Sequence, residues 1–254
     1  MAVPRATPHP EGVTDQSPTM NTELLDPPRT ELAAGAGTLE PSFLHVPLYE
    51  RLANHLPTEQ ERQAAADFLH GVIAETSADA DGLPDNPEHL TDWMRANVEK
   101  VHAQYQAYLA ERKAGAARRY FGNRAHALYF LRNVAPTKLV DGSWLYGLCA
   151  HAGNSRMSDL VTTYVEELGD GMVDKNHVKL YRELLARYGL DPVEDLPDEL
   201  YRQGLVQLAL GWNAQQFLPE IVGFNLGYEQ LPLHLLITAC LLYTSPSPRD
   251  KRQS

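Results

Sequence analysis

Residues 159–188 constrain the fold most, because two amphipathic helices separated by a glycine-rich break account for the whole stretch. In both halves, apolar side chains recur at the three- and four-residue spacing of one helix face. Gly169 and Gly171 lie between the halves, and glycine readily adopts the backbone conformations that end a helix. Glu167 borders the apolar stripe of the first predicted helix, and His177 begins the stripe of the second.

Glu167 and His177 form a candidate metal site, because a carboxylate and an imidazole that face one helical core are common metal ligands. If both bind one metal, the carboxylate and the imidazole should both face the bundle interior about 4–5 Å apart, given ligand bonds near 2.0–2.2 Å. The residues alone leave two alternatives open. His177 could be a core histidine with a satisfied hydrogen bond, and Glu167 could be a solvated charge at a helix end.

Asp141 is a second carboxylate with an inward phase. It precedes Trp144, Leu145 and Leu148 by three, four and seven residues, which is the spacing of one helix face. The alternative is that Asp141 and Gly142 only form a turn.

The rest of the chain predicts further helices, so we expect an all-α fold. No window alternates apolar and polar residues between turn signals as a half-buried strand does. The phosphate-binding glycine motifs and the GxSxG motif of serine hydrolases do not occur. The other predicted helices span residues 48–56, 58–76, 87–113, 125–133, 137–150, 199–212 and 217–242.

Composition limits which partners and which cellular compartment we expect for the protein. The net charge of −11 argues against nucleic acid as a partner, because phosphates require a basic surface. Two cysteines provide neither a disulfide framework nor a CxxC metal motif, which favours a reducing, cytoplasmic location. The start of the chain has no apolar signal region, and no stretch is long and apolar enough to predict a membrane span. Residues 1–42 carry few large apolar side chains and are predicted to be a disordered arm.

Three segments resemble the haem-oxygenase-like diiron oxidases and oxygenases, also grouped as iron-containing redox enzymes. The first is EELGDG followed by His177 and KLYRELLARYGLD, in which the histidine comes ten residues after Glu167. The other two segments are TKLVDGSWLYG and FLPEIVGFNLGYEQLPLHLL. The resemblance covers roughly residues 125–239.

This resemblance implies a helical bundle of about seven helices around two Fe(II) ions, with O2 as co-substrate. It makes Glu167 and His177 iron ligands and assigns a further carboxylate to an earlier helix. Asp141 is the best-phased residue for that role, although the family usually has glutamate there. The implied activity is oxidation of a C–H or N–H bond in a small organic substrate, with a homodimer as one possible assembly.

Four aromatic residues are candidate walls of the substrate pocket, although aromatic residues at helical spacing are also typical of a core. They are Phe130, Trp144, Tyr164 and Tyr181. Two other functions remain open on the same fold. One is a metal-free helical binding or scaffold protein, and the other is a haem protein that uses His126 or His177.

The C-terminal sequence changes abruptly after an apolar stretch. LLYTSPSPRDKRQS resembles a translated sequencing adapter, so we expect a helical domain over residues 43–239 and a non-native tail over residues 240–254. The family's remaining ligands come from a last helix, which we expect this chain to lack. An enzyme incomplete in this way would be inactive.

Overall fold

A computed structural model describes residues 44–76, 83–190 and 195–230, together with residue 233. The predictions for residues 1–42 and 240–254 lie outside these residues. Within the described ranges the secondary structure is entirely helical, which confirms the all-α prediction. No helix in this part of the chain is both long and apolar enough to cross a membrane.

The first two helices, α1 (His45–Asn54) and α2 (Glu59–Thr76), pack against the core. Helix α1 begins three residues earlier than predicted, because a distant carboxylate caps it. The Asp198 carboxylate accepts hydrogen bonds from the backbone N–H groups of His45 (3.0 Å) and Val46 (2.9 Å). Helix α2 begins as predicted with a capping box, in which Thr58 N–H donates to Glu61 and Glu61 N–H donates to the Thr58 hydroxyl.

Helix α3 (Leu90–Lys113) follows a 3-10 turn at Pro87–His89, so the long helix predicted over residues 87–113 is confirmed. Its apolar face is only partly covered by the described residues. Tyr108 is the single buried residue of α3, whereas Val98 and Leu109 are exposed. Helix α4 (Arg124–Asn133) follows.

The single helix predicted over residues 137–150 is wrong. A short helix, α5 (Ala135–Lys138), ends before Gly142, and a 3-10 helix then spans Ser143–His151. Gly142 has a φ of +82°, a left-handed conformation that no helix can continue through. Asp141 therefore lies in a turn, the alternative that the sequence left open, and it nevertheless points inward.

The remaining helices are α6 (Ser158–Glu167), α7 (His177–Tyr188), α8 (Arg202–Trp212) and α9 (Leu218–Tyr228). The sequence predicted a helix that continues to residue 242. Helix α9 ends at Tyr228, and of residues 231–242 only Leu233, which is helical, lies within the described residues. Pro232 follows shortly after in the sequence, and a proline disfavours helical backbone at the residue that precedes it.

Helix α8 is the centre of the core. Most of its residues are buried, and α1, α2, α5 and the 3-10 helix pack around it. Two glycines permit a very close approach between α8 and the 3-10 helix. A Cβ atom at Gly211 would overlap the carbonyl oxygen of Ser143, and one at Gly147 would overlap Ala214. This contact fixes the 3-10 helix, and with it the turn that carries Asp141.

Candidate metal centre

A tight connection between α6 and α7 brings Glu167 and His177 together. Glu167 is the last residue of α6, and His177 is the first residue of α7. Gly169 has a φ of +86°, and a Cβ atom there would lie 2.6 Å from the backbone nitrogen of Asn176. The Asn176 side chain caps α7 by accepting a hydrogen bond from the Lys179 N–H at 2.9 Å.

Asp141, Glu167 and His177 each offer one ligand atom, and these atoms all lie within 4.8 Å of one another. Nδ1 of His177 is 2.5 Å from Oε2 of Glu167 and 4.0 Å from Oδ2 of Asp141. The Asp141 and Glu167 side chains are 7% and 11% exposed, whereas His177 is 47% exposed. The three residues named from sequence as metal ligands therefore form one cluster with a single accessible side.

Gly142 determines how closely the Asp141 turn approaches α6. A Cβ atom at this position would lie 2.9 Å from Cβ of Glu167, and Tyr164 packs beside the same glycine. Real Cβ contacts are not this short, so any larger residue at position 142 would displace the Glu167 side chain.

Lys138 and Tyr228 hold the Asp141 carboxylate in a fixed orientation. The Tyr228 hydroxyl donates to Oδ1 at 2.9 Å, and the Lys138 ammonium lies 3.3 Å from Oδ1 and 3.1 Å from Oδ2. Lys138 also donates to the Tyr228 hydroxyl at 2.9 Å. Oδ1 therefore accepts from both Lys138 and Tyr228, and Oδ2, which also accepts from Lys138, is the oxygen that faces His177.

Burial and mutual repulsion shape the electrostatics of the cluster. Burial, followed by the Asp141 charge, raises the pKa of Glu167, although His177 partly opposes the shift. Burial lowers the pKa of Lys138, but Asp141 and Tyr228 more than reverse this, so the ammonium is retained. Because the pKa of Glu167 is raised in the fold, the folded protein loses stability as the pH rises above the ordinary glutamate range.

Glu229 is a nearby carboxylate that the sequence did not single out as a site residue. Burial raises its pKa, and the next largest cause is the Asp141 charge; Glu167 and His177 also feel its charge. The sequence did contain a sign that Glu229 is a candidate site residue, because Glu229 is one of few titratable residues in the apolar segment 217–242.

The donor set fits a hard or borderline metal. Carboxylate oxygens with imidazole suit iron or manganese, and they also suit zinc. Oε2 of Glu167 is buried, and its close polar neighbour among the described residues is Nδ1 of His177 at 2.5 Å. The 2.5 Å between these two atoms is shorter than the distance of about 4–5 Å expected from the sequence. Two ligand atoms at right angles on one metal lie about 3 Å apart given bonds near 2.0–2.2 Å, so metal binding would separate this pair slightly.

The four aromatic residues predicted as pocket walls have different surroundings. Trp144 is completely buried, and its Nε1–H donates to Oδ1 of Asn225 at 3.1 Å. Phe130 packs edge-on against Phe121, and the Tyr181 hydroxyl donates to the Leu131 carbonyl. Tyr164 is half-buried next to the core. Their role in substrate binding stays a prediction.

Comparison with known protein families bears on the same part of the chain. Residues 128–242 match the family described as iron-containing redox enzymes. This match confirms the resemblance predicted over residues 125–239 and includes Asp141, Glu167, His177 and Glu229. No curated protein and no solved structure is significantly similar to the chain.

The family match supports oxidoreductase activity in general and iron as the metal. Of the two residues considered for haem, His126 is exposed near the start of α4, whereas His177 lies in the carboxylate cluster.

Proposed function

We propose that the protein is a non-haem iron-dependent oxidoreductase that uses O2 to oxidise a C–H or N–H bond of a small organic substrate. The observation that carries the proposal is the convergence of Asp141, Glu167 and His177 within the segment that matches the iron-containing redox enzymes. When bound, ferrous iron would supply the electrons and the coordination positions for O2 activation.

The residues of the chain have distinct roles in this proposal. Oε2 of Glu167, Nδ1 of His177 and Oδ2 of Asp141 would hold iron. Glu229, whose pKa the Asp141 charge helps to raise, is a further candidate carboxylate nearby. Lys138 and Tyr228 would keep Asp141 oriented, as hydrogen-bonded partners of metal ligands commonly do. The exposed side of His177 would be the entrance for metal or small molecules.

A metal titration tests the proposal. The protein is purified without oxygen, ferrous iron is added, and the metal retained per chain is counted; we expect up to two irons per chain. Oxygen is then admitted while the visible spectrum is followed, because oxidation of bound iron should change the absorbance. Mn(II), followed by electron paramagnetic resonance, gives a second readout that requires no turnover.

Adjacent glutamates provide a matched control. Glu167→Gln should lower the metal affinity strongly, because an amide is a poorer ligand than a carboxylate. Glu166→Gln removes the same charge from an exposed neighbour and should change the affinity little. Retention of no metal would overturn the proposal and favour the metal-free binding protein. Equal losses of metal affinity in the two variants would show that Glu167 is not a metal ligand.

A further inference from the structure

A large, mostly apolar cavity lies on another face of α8 and α9. Its volume is about 980 Å³, which lies at the upper end of the range for small-molecule sites. Side chains from α2, the α4–α5 junction, α8 and α9 line it. Its apolar walls include Leu69, Val72, Val134, Val206, Leu210 and Phe224.

Glu220 is the unusual residue of this cavity. It lies in the first turn of α9, and its Oε2 is buried without a hydrogen-bond donor among the described residues. A buried carboxylate oxygen without a donor is costly, because burial removes the water that would solvate it. A cationic donor that enters the cavity would relieve that cost.

The other charged groups of the cavity leave this acceptor available. Arg202 is the only basic residue that lines the described cavity, and it forms an ion pair with Glu75. Glu199 adds a second carboxylate at an exposed position. The excess charge of the lining is therefore negative, which favours a cation over an anion as the polar part of a ligand.

One wall residue of the cavity contacts a partner of the candidate metal centre. The ring of Phe224 lines the cavity and stacks on Tyr228, with 5.3 Å between the ring centroids. The Tyr228 hydroxyl donates to Asp141. One stacked aromatic pair therefore connects the cavity wall to the carboxylate cluster.

We propose that this cavity binds a small apolar molecule that carries a protonated amine, with the ammonium group beside the Glu220 carboxylate. The hydrocarbon part of the ligand would contact the leucine, valine and phenylalanine side chains. Binding requires no metal, so this inference does not depend on the proposed oxidoreductase activity.

Three ligands of equal chain length test the proposal. Hexylamine, hexanol and hexanoate carry a positive, a neutral and a negative head group on the same hydrocarbon. Their affinities for the full chain without added metal are measured by calorimetry. We expect hexylamine to bind about tenfold more tightly than hexanol, the usual effect of a hydrogen bond to a charged group, and hexanoate to bind most weakly. Hexanol or hexanoate binding as tightly as hexylamine would overturn the proposal.

Two variants locate the head group. Glu220→Gln keeps the side-chain shape and should remove the preference for hexylamine while leaving hexanol binding unchanged. Glu199→Gln removes the same charge from the exposed carboxylate and should preserve the preference. The thermal midpoint of each variant establishes that it is folded. If Glu199→Gln alone abolishes the preference, the head group lies at that residue and the assignment to Glu220 is wrong.

Discussion

At the scale of single residues, Gly142 couples the Asp141 turn to the Glu167 side chain. Its φ of +82° is one that side-chain-bearing residues adopt at a cost of about 1–2 kcal/mol. The short distance from a Cβ atom at this position to Cβ of Glu167 adds a steric conflict. We expect Gly142→Ala to destabilise the fold by more than the conformational cost alone and to weaken Mn(II) binding.

Gly171→Ala is the matched control for this prediction. Gly171 has a φ of +76°, but a Cβ atom there would meet nothing within 4 Å. This variant should lose only the conformational part of the stability and retain its Mn(II) affinity. If Gly142→Ala and Gly171→Ala lose the same unfolding free energy, measured with urea, and the same metal affinity, the steric role of Gly142 is wrong.

The Tyr228 hydroxyl orients Asp141, and its removal should separate metal binding from stability. Tyr228→Phe deletes the donor to Oδ1 and the acceptor for Lys138. Loss of a hydrogen-bonded partner of a metal ligand typically lowers metal affinity about 10–100-fold. The cost to the free energy of unfolding should be about 0.5–1.5 kcal/mol.

Tyr181→Phe separates this effect from the general loss of a buried hydroxyl. Burial raises the pKa of both tyrosines to about 12, and the Tyr181 hydroxyl donates to the Leu131 carbonyl instead of to Asp141. The unfolding cost should be similar, with unchanged Mn(II) affinity. A Tyr228→Phe variant with wild-type Mn(II) affinity would show that Asp141 needs no such support.

The residues of the cluster were predictable to different degrees. Glu167 and His177 follow from helical spacing, because each borders an apolar stripe next to the same glycine break. Their 2.5 Å separation was not predictable, since it depends on the tight backbone at Gly169. Lys138 precedes Asp141 by only three residues, whereas Tyr228 follows it by 87 residues, and no local pattern reveals the contact with Tyr228.

At the scale of helices, the contact between α8 and the 3-10 helix supports the whole site. Gly211 lies against the Ser143 carbonyl, where even one methyl group has no room. We expect Gly211→Ala to destabilise the fold by about 3 kcal/mol, at the upper end of the usual cost of overpacking, as measured by urea unfolding.

Gly71→Ala in α2 should stabilise the fold, in contrast to Gly211→Ala. A Cβ atom at Gly71 would meet nothing within 4 Å, so only the helix preference for alanine applies. This variant should gain about 0.5–1 kcal/mol in unfolding free energy. If Gly211→Ala leaves the unfolding free energy unchanged, α8 and the 3-10 helix can separate without cost.

Helix positions were more predictable than helix packing. The capping box of α2 and the long periodic stretch of α3 gave nearly correct bounds, because caps and periodicity are local. The 3-10 helix at Ser143–His151 was predicted as part of an α-helix, since its apolar spacing suits both. The early start of α1 depends on Asp198, which is remote in sequence.

At the scale of the whole molecule, the domain is closed by its first helix. Leu48, Tyr49 and Leu52 of α1 are buried against the core formed by the rest of the domain. The Tyr49 hydroxyl donates to the Pro136 carbonyl at 2.8 Å, next to the short helix that precedes Asp141. The N-terminal end of the domain therefore supports the turn that carries a candidate ligand.

Two truncations test where the stable domain begins. Removal of residues 1–42 should leave the thermal midpoint almost unchanged, because this sequence has few large apolar side chains to bury. Removal of residues 1–54 also deletes α1 and its three buried side chains, each contributing about 1.5–3 kcal/mol of burial. The sum approaches the net stability of a typical domain, about 5–15 kcal/mol, so the shorter protein should be unfolded or aggregated. A large drop in the midpoint after the first truncation would show that residues 1–42 contribute to the fold, and a stable second truncation would show that α1 does not close the core.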